Sequence, residues 1–263
     1  MSYGPKPWQQ TSWDARAAAN FMLGGTGAGL IVAAGFVHDD SHYQVMLALL
    51  LVAAGLGAVW LEIGRKMRAL HVFFNPFTSW MTRESFAAVM LFGFGISHLL
   101  FRQPWTQVAA ALAALAFVYC QARILRAAKG IPAWRAPEVV PLVLATSLAE
   151  GAGLALLFEP GSFALALFVA ALAGRAMAWS VYSTALAPHP GRLALEPAGK
   201  LLMQIGTVVP LALVLGGIFQ PQAAILAAIP ALLAGWWYKF VLVTRAAQNQ
   251  GFSLPHLSVR GTR

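Results

Sequence analysis

Residues 43–63 read YQVMLALLLVAAGLGAVWLEI, with no charged side chain before Glu62. About 20 mostly apolar residues are needed to cross the hydrocarbon core of a bilayer as a helix. A surface helix of a soluble domain would show a polar stripe, and this stretch has none. Seven further runs have the same character: 17–37, 84–101, 105–123, 139–158, 162–183, 201–219 and 223–243. The sequence therefore predicts an all-α integral membrane bundle of about eight transmembrane helices, up and down. Residues 1–263 form a single membrane domain: a polar N-terminal arm (1–16), the helical bundle (17–243) and a polar C-terminal tail (244–263). The expected connections are very short after the first, third, fifth and seventh runs and longer after the second, fourth and sixth.

Composition agrees. The 263 residues are 59% hydrophobic and only 10% charged, with nine Trp and sixteen Phe. Soluble domains carry roughly 25% charged residues. The formal net charge of +9 would suggest a nucleic-acid partner in a soluble protein. Here the charges fall in loops, so nucleic acid is not the expected partner and the charges report orientation instead. Of the Lys and Arg residues, all but Arg102 and Arg175 fall on the face carrying both termini and the longer loops. The opposite face has Arg102 with Asp39, Asp40 and Glu159. The positive-inside rule then predicts a multi-pass protein of the inner (cytoplasmic) membrane with both termini in the cytoplasm. A rival cause of the same bias is a surface that docks an acidic partner. The start of the chain, residues 1–16, lacks the apolar core and cleavage site of a signal peptide, so the first run reads as a retained helix.

The glycines at 24–29, GGTGAG, sit inside the first membrane run, where a dinucleotide-binding turn has no strand before it. Gly25 and Gly29 instead predict close helix approach, and Gly55 with Gly57, Gly93 with Gly95, and Gly151 with Gly153 are expected to act likewise. Part of this glycine surface could leave room for a flat ligand ring. Cys120 is the single cysteine, and one thiol cannot hold an iron–sulfur cluster or structural zinc. His98 is the one histidine well inside a run, and a membrane haem commonly needs two axial ligands. No haem, metal site or iron–sulfur cluster is expected in this chain.

Polar residues in the runs are few enough to weigh singly. Glu62 ends the second run and Glu84 begins the third, with Arg65, Arg68 and Arg83 close in sequence. One reading is a set of interfacial ion pairs that orient the 65–77 segment along the membrane surface. The other is a polar head to a pocket for a lipid-soluble ligand, which needs an apolar approach and a few donors and acceptors. For a quinol it also needs a group that takes protons. Asn20, at the start of the first run, is placed to line the same pocket or to bond a neighbouring backbone. Glu150 and Arg175 lie deep in the fifth and sixth runs, and adjacent antiparallel helices would bring them together. They form either a structural ion pair or a step on a proton path.

Several segments resemble the DmsC/NrfD/PsrC-type membrane anchor subunits of molybdopterin iron–sulfur oxidoreductases. LEIGRKMRAL (61–70) followed by NPFTSWMTRESF (75–86) resembles that family's hairpin of the second and third helices. The opening WQQTSWDARAAANFMLGGTGAGL (8–30) resembles its first helix, and AGRAMAWSVY (173–182) fits its sixth. PWQQTSWD (7–14) is similar to the anchor of phenylacetyl-CoA:acceptor oxidoreductases. The resemblance implies a quinone-reactive subunit without haem. It would exchange electrons between membrane quinone (menaquinone or ubiquinone) and a ferredoxin-like iron–sulfur subunit, itself joined to a molybdopterin (molybdenum or tungsten) catalytic subunit. It implies a quinone site near Asn20, Glu62, Arg65, Arg68, Ser79, Trp80, Arg83 and Glu84, with Glu62 and Glu84 handling protons. Glu84 matches the family's glutamate. Glu62 stands where the dimethyl sulfoxide reductase anchors have histidine, a departure that bears on the proton chemistry. The rival classes are a proton or small-solute transporter, against which stands the lack of paired broken helices, and a purely structural anchor.

Overall fold

A computed structural model describes residues 9–10, 12–36, 41–63, 66–186, 190–217 and 221–249, with backbone alone at 66–68, 190 and 221. Among these residues, eight helices are long and apolar enough to cross a membrane. They are α1 (Ala15–Ala34), α2 (His42–Glu62), α3 (Trp80–Phe101), α4 (Pro104–Ala127), α5 (Val139–Leu156), α6 (Ser162–Ala185), α7 (Gly191–Gly216) and α8 (Gln222–Arg245). The all-α bundle expected from the sequence is therefore the fold. Large apolar side chains such as Leu50, Leu112 and Met177 are exposed on its outside, as lipid-facing positions should be.

Local chemistry moves several helix ends. α3 starts at Trp80 because the Ser79 hydroxyl accepts the Thr82 N–H at 3.3 Å, an N-cap that places Glu84 one turn inside. α7 begins ten residues before the expected Leu201, despite Pro197. Its first turns are amphipathic, and an exposed Glu196–Lys200 pair at 3.2 Å lies along them. The connection after α6 is consequently short, not long as expected. The 65–77 segment contains a 3-10 stretch over Lys66–Phe74. Near the chain ends, Gln9 bridges Gln248 and the Gln10 N–H bonds the Ala247 carbonyl at 3.0 Å. The arm and the start of the tail therefore meet at one face of the bundle.

α1 is the most enclosed span, with 83% of its apolar window buried against 28% for α6. Its tightest crossing is with α5. A Cβ on Gly29 would strike the Ser147 carbonyl, and one on Gly151 would strike the backbone of Gly29 and Leu30. These two backbones touch, which only glycine permits. Gly57 and Gly93 differ from expectation: a Cβ at either would meet nothing within 4 Å, so neither packs a helix.

Three spans contain a π-helical turn, at Asn20–Gly24, Gln204–Val208 and Val241–Arg245. Such a turn disturbs the regular ladder, and in a membrane a freed carbonyl must find a protein donor. In each case a buried side chain from another helix supplies one. Gln121 donates to the Asn20 carbonyl at 3.0 Å, Arg175 donates to the Gly206 carbonyl, and the Trp134 indole donates to the Leu242 carbonyl at 2.7 Å.

Candidate functional site

Asp14 opens α1 by accepting the Arg16 N–H at 2.7 Å and pairs with the Arg16 guanidinium, also at 2.7 Å. This hydrogen bond holds the Asp14 carboxyl below its ordinary value. One turn later the π-helical turn begins at Asn20. Its side chain is buried and reaches α3, where the amide donates to Glu84 Oε1 at 3.0 Å. The carbonyl oxygen of the Asn20 amide is buried and has no partner. The Gln121 side chain also neighbours the Glu84 carboxylate, from α4. A carboxyl buried by three helices is thus held by two neutral amides rather than by a cation.

Two cavities meet at this pair, and Asn20, Val59, Ile63, Met81 and Glu84 line both. The larger is about 630 Å³ and lies between α2, the 66–74 segment and α3. Apart from Asn20, Glu84 and Ser85 its lining is apolar, including Leu56, Trp60, Phe73 and Phe92. Gly57 lines it too, so the missing side chain at this position is open space in the cavity. The smaller, about 220 Å³, continues toward the arm past Trp13 and Ser12 and reaches Glu62. Glu62 therefore sits at the outer end of this smaller cavity, in the electrostatic reach of Asp14 and Arg16.

The structure brings Asn20, Glu62 and Glu84 to one site and places other expected members elsewhere. Ser79 is a helix cap. Trp80 and Arg83 do not line either cavity: the Arg83 guanidinium lies over the Trp80 ring, 4.2 Å from its centroid, and donates to the Pro76 and Phe77 carbonyls. Arg65 and the side chain of Arg68 lie outside the described residues. Gln121 was not expected. Its signal was one uncharged polar residue in the apolar run FVYCQ.

The expected Glu150–Arg175 ion pair is corrected. Glu150 pairs with Lys239, 2.6 Å away, and also accepts from Thr26 at 2.6 Å. Lys239 reaches Ser147 at 3.0 Å as well. Arg175 instead donates to the carbonyls of Ala231 and Gly206 and to Thr207, and it feels Glu150 only through space. Lys239 was counted with the basic face, yet α8 carries it inward until it is 1% exposed. Trp236, Trp237 and Tyr238 precede it, residue types enriched where a span meets the headgroup layer, so its depth does not show in the sequence. His98 sits at the opposite end of the bundle, 3.4 Å from Ser41 and 3.5 Å from Thr106. No group of three or more metal-ligating side chains occurs among the described residues.

No family model matches the chain. It is similar to a curated sulfite dehydrogenase subunit of Allochromatium vinosum, at 31% identity over 167 residues. The match covers 52% of this chain and 51% of that protein. The chain thus spans about half the length of the curated relative it matches.

Proposed function

We propose that this chain is the quinone-reactive membrane anchor of a molybdenum or tungsten iron–sulfur oxidoreductase, of the DmsC/NrfD/PsrC type. The observation behind this reading is the buried Asn20–Glu84 pair at the polar end of an apolar cavity beside α2 and α3. The likeness to a dehydrogenase subunit supports a role within an oxidoreductase complex. The substrate of that complex, a CoA thioester by one resemblance and sulfite by the relative's name, would be a property of another chain.

The residues fit a quinone headgroup. An apolar cavity with few polar groups at one end suits a ligand with an isoprenoid tail and a polar ring. Asn20 Oδ1 is packed against Gly24 and Gly55, so the polar group at that end that meets a quinol hydroxyl would be the Glu84 carboxylate, held by the Asn20 amide. Bound there, a quinone would supply two-electron, two-proton chemistry next to an iron–sulfur cluster of the ferredoxin-like partner. Glu84 would hold or release a proton at Oε2 while Asn20 fixes its other oxygen. Glu62, at the outer end of the smaller cavity, would exchange that proton with water. The basic face would lie in the cytoplasm and seat the iron–sulfur subunit.

Replacing Glu84 with Gln tests the reading. Turnover with a quinol or quinone should fall by at least tenfold, while artificial-dye activity of the complex stays near wild type. Equal loss of both would sink it. Normal quinone turnover would favour a purely structural anchor.

A further inference from the structure

We propose that Arg83 and Arg123, held against Trp80 at the rim of α3 and α4, bind the phosphate of an anionic phospholipid. Each guanidinium carbon lies 4.2 Å from the centroid of the Trp80 ring. Each guanidinium is attracted to the ring, but two cations on one indole leave a local excess of positive charge that suits an anion. No carboxylate fills that role: among the described residues the ion pairs are Asp14–Arg16, Glu196–Lys200 and Glu150–Lys239. The Arg83 bonds to Pro76 and Phe77 use its Nε and Nη2, and the Arg123 bond to the Tyr119 hydroxyl at 2.7 Å uses its Nη1. Three N–H groups of Arg83 and four of Arg123 have no bond within the protein among the described residues. Guanidinium forks match phosphate oxygens well.

Position selects the source of that phosphate. Trp80 is the first residue of α3 and Arg123 is in the last turns of α4, so the pair sits where a span meets the headgroup layer. Along the same outer surface, Met90 lies seven residues on from Arg83 and Leu112 eleven before Arg123, both exposed. Gly93 is exposed as well, and a Cβ there would meet nothing within 4 Å, so the surface running away from the arginines is apolar and open to acyl chains. A headgroup at the arginines and a chain along α3 and α4 describe a lipid. An acidic protein surface would match the first feature and not the second. Basic sites between membrane helices commonly take anionic lipids.

The test is native mass spectrometry of the full-length protein in detergent, titrated with phosphatidylglycerol or phosphatidylcholine. Phosphatidylglycerol should be retained at least tenfold more strongly. Arg123→Gln should abolish most of that preference, and Lys129→Gln, an equal charge change at an exposed position on the same face, should not. Arg123→Gln leaves the Arg83 contacts to the 76–77 backbone in place, and unchanged thermal unfolding in detergent would verify the fold. Should it not fold, Arg123→Lys keeps the charge but loses the planar fork, and a fewfold drop in preference is then expected. Equal retention of the two lipids, equal loss in Lys129→Gln, or displacement of the lipid by millimolar inorganic phosphate would each overturn the proposal.

Discussion

The side-chain amide of Asn20 donates to Glu84 Oε1 across 3.0 Å, although the two residues are 64 positions apart and lie on different helices. Both are less than a tenth exposed. The π-helical turn that begins at Asn20 sets this contact, and Gln121 holds the turn by taking the Asn20 carbonyl. A buried carboxylate with neutral partners costs more to keep than an apolar pair of the same shape. Its presence next to a cavity is therefore better explained by chemistry than by stability.

Asn20→Leu should raise the KM for quinol and lower turnover together, by about ten- to a hundredfold. A hydrogen bond to a charged group contributes about 1.5–3 kcal/mol, and each 1.4 kcal/mol is tenfold. Gln121→Leu removes the donor to the Asn20 carbonyl and also one of the two amides beside Glu84. It should lower stability by about 1–3 kcal/mol, the cost of a buried carbonyl left unsatisfied, with a smaller effect on quinol. Quinol kinetics and thermal unfolding of the same preparations separate the two. A Gln121 effect on kinetics larger than that of Asn20 would reverse the assignment.

Gly57→Leu should project into the larger cavity without straining the helix, because a Cβ there meets nothing within 4 Å. Quinone turnover is expected to drop at least tenfold with the fold and dye activity kept. Gly174→Leu is the matched control, since Gly174 also has open space around it but lines neither cavity. If Gly57→Leu turned over quinone normally, the cavity would not be the site.

The Glu150–Lys239 pair predicts an asymmetry. Removing one partner of a buried ion pair costs about 3–5 kcal/mol, because the other is left uncompensated. Arg175 lies close enough to act on both. Glu150→Gln strands two cations, whereas Lys239→Met leaves Glu150 with Arg175 nearby. Unfolding in detergent should show Glu150→Gln to be the worse, and the double variant should recover much of the loss relative to it. Equal single losses would mean that Arg175 is electrostatically remote.

Asp14 gives the chain a pH-dependent end. Its folded carboxyl is held below the ordinary value of about 3.9 by Arg16. The stability it adds is therefore present above that value and is lost as pH falls below it. Melting temperatures of wild type and Asp14→Asn should differ at pH 6, and the gap should narrow as pH falls below about 3.9. A constant gap across that range would mean the carboxylate charge plays no part in capping α1.

The membrane fold and the eight spans were legible in the sequence because lipid imposes one requirement on every span. About 20 residues must be apolar and internally hydrogen-bonded, and both show in a single run. Glycine contacts at Gly25, Gly29 and Gly151 were legible for a related reason: only small residues let membrane helices touch. Glu62, Glu84 and Asn20 could be singled out because polar side chains are rare in such runs. What only the tertiary structure decided was who meets whom. Arg83 lies near Glu84 in sequence but turns to Trp80, while Gln121, on another helix, turns inward to Asn20. Lys239 looked like a boundary residue and is the partner of Glu150. Helix rotation and the three π-helical turns choose these contacts, and a hydrophobic run records how long a helix is, not which way it faces.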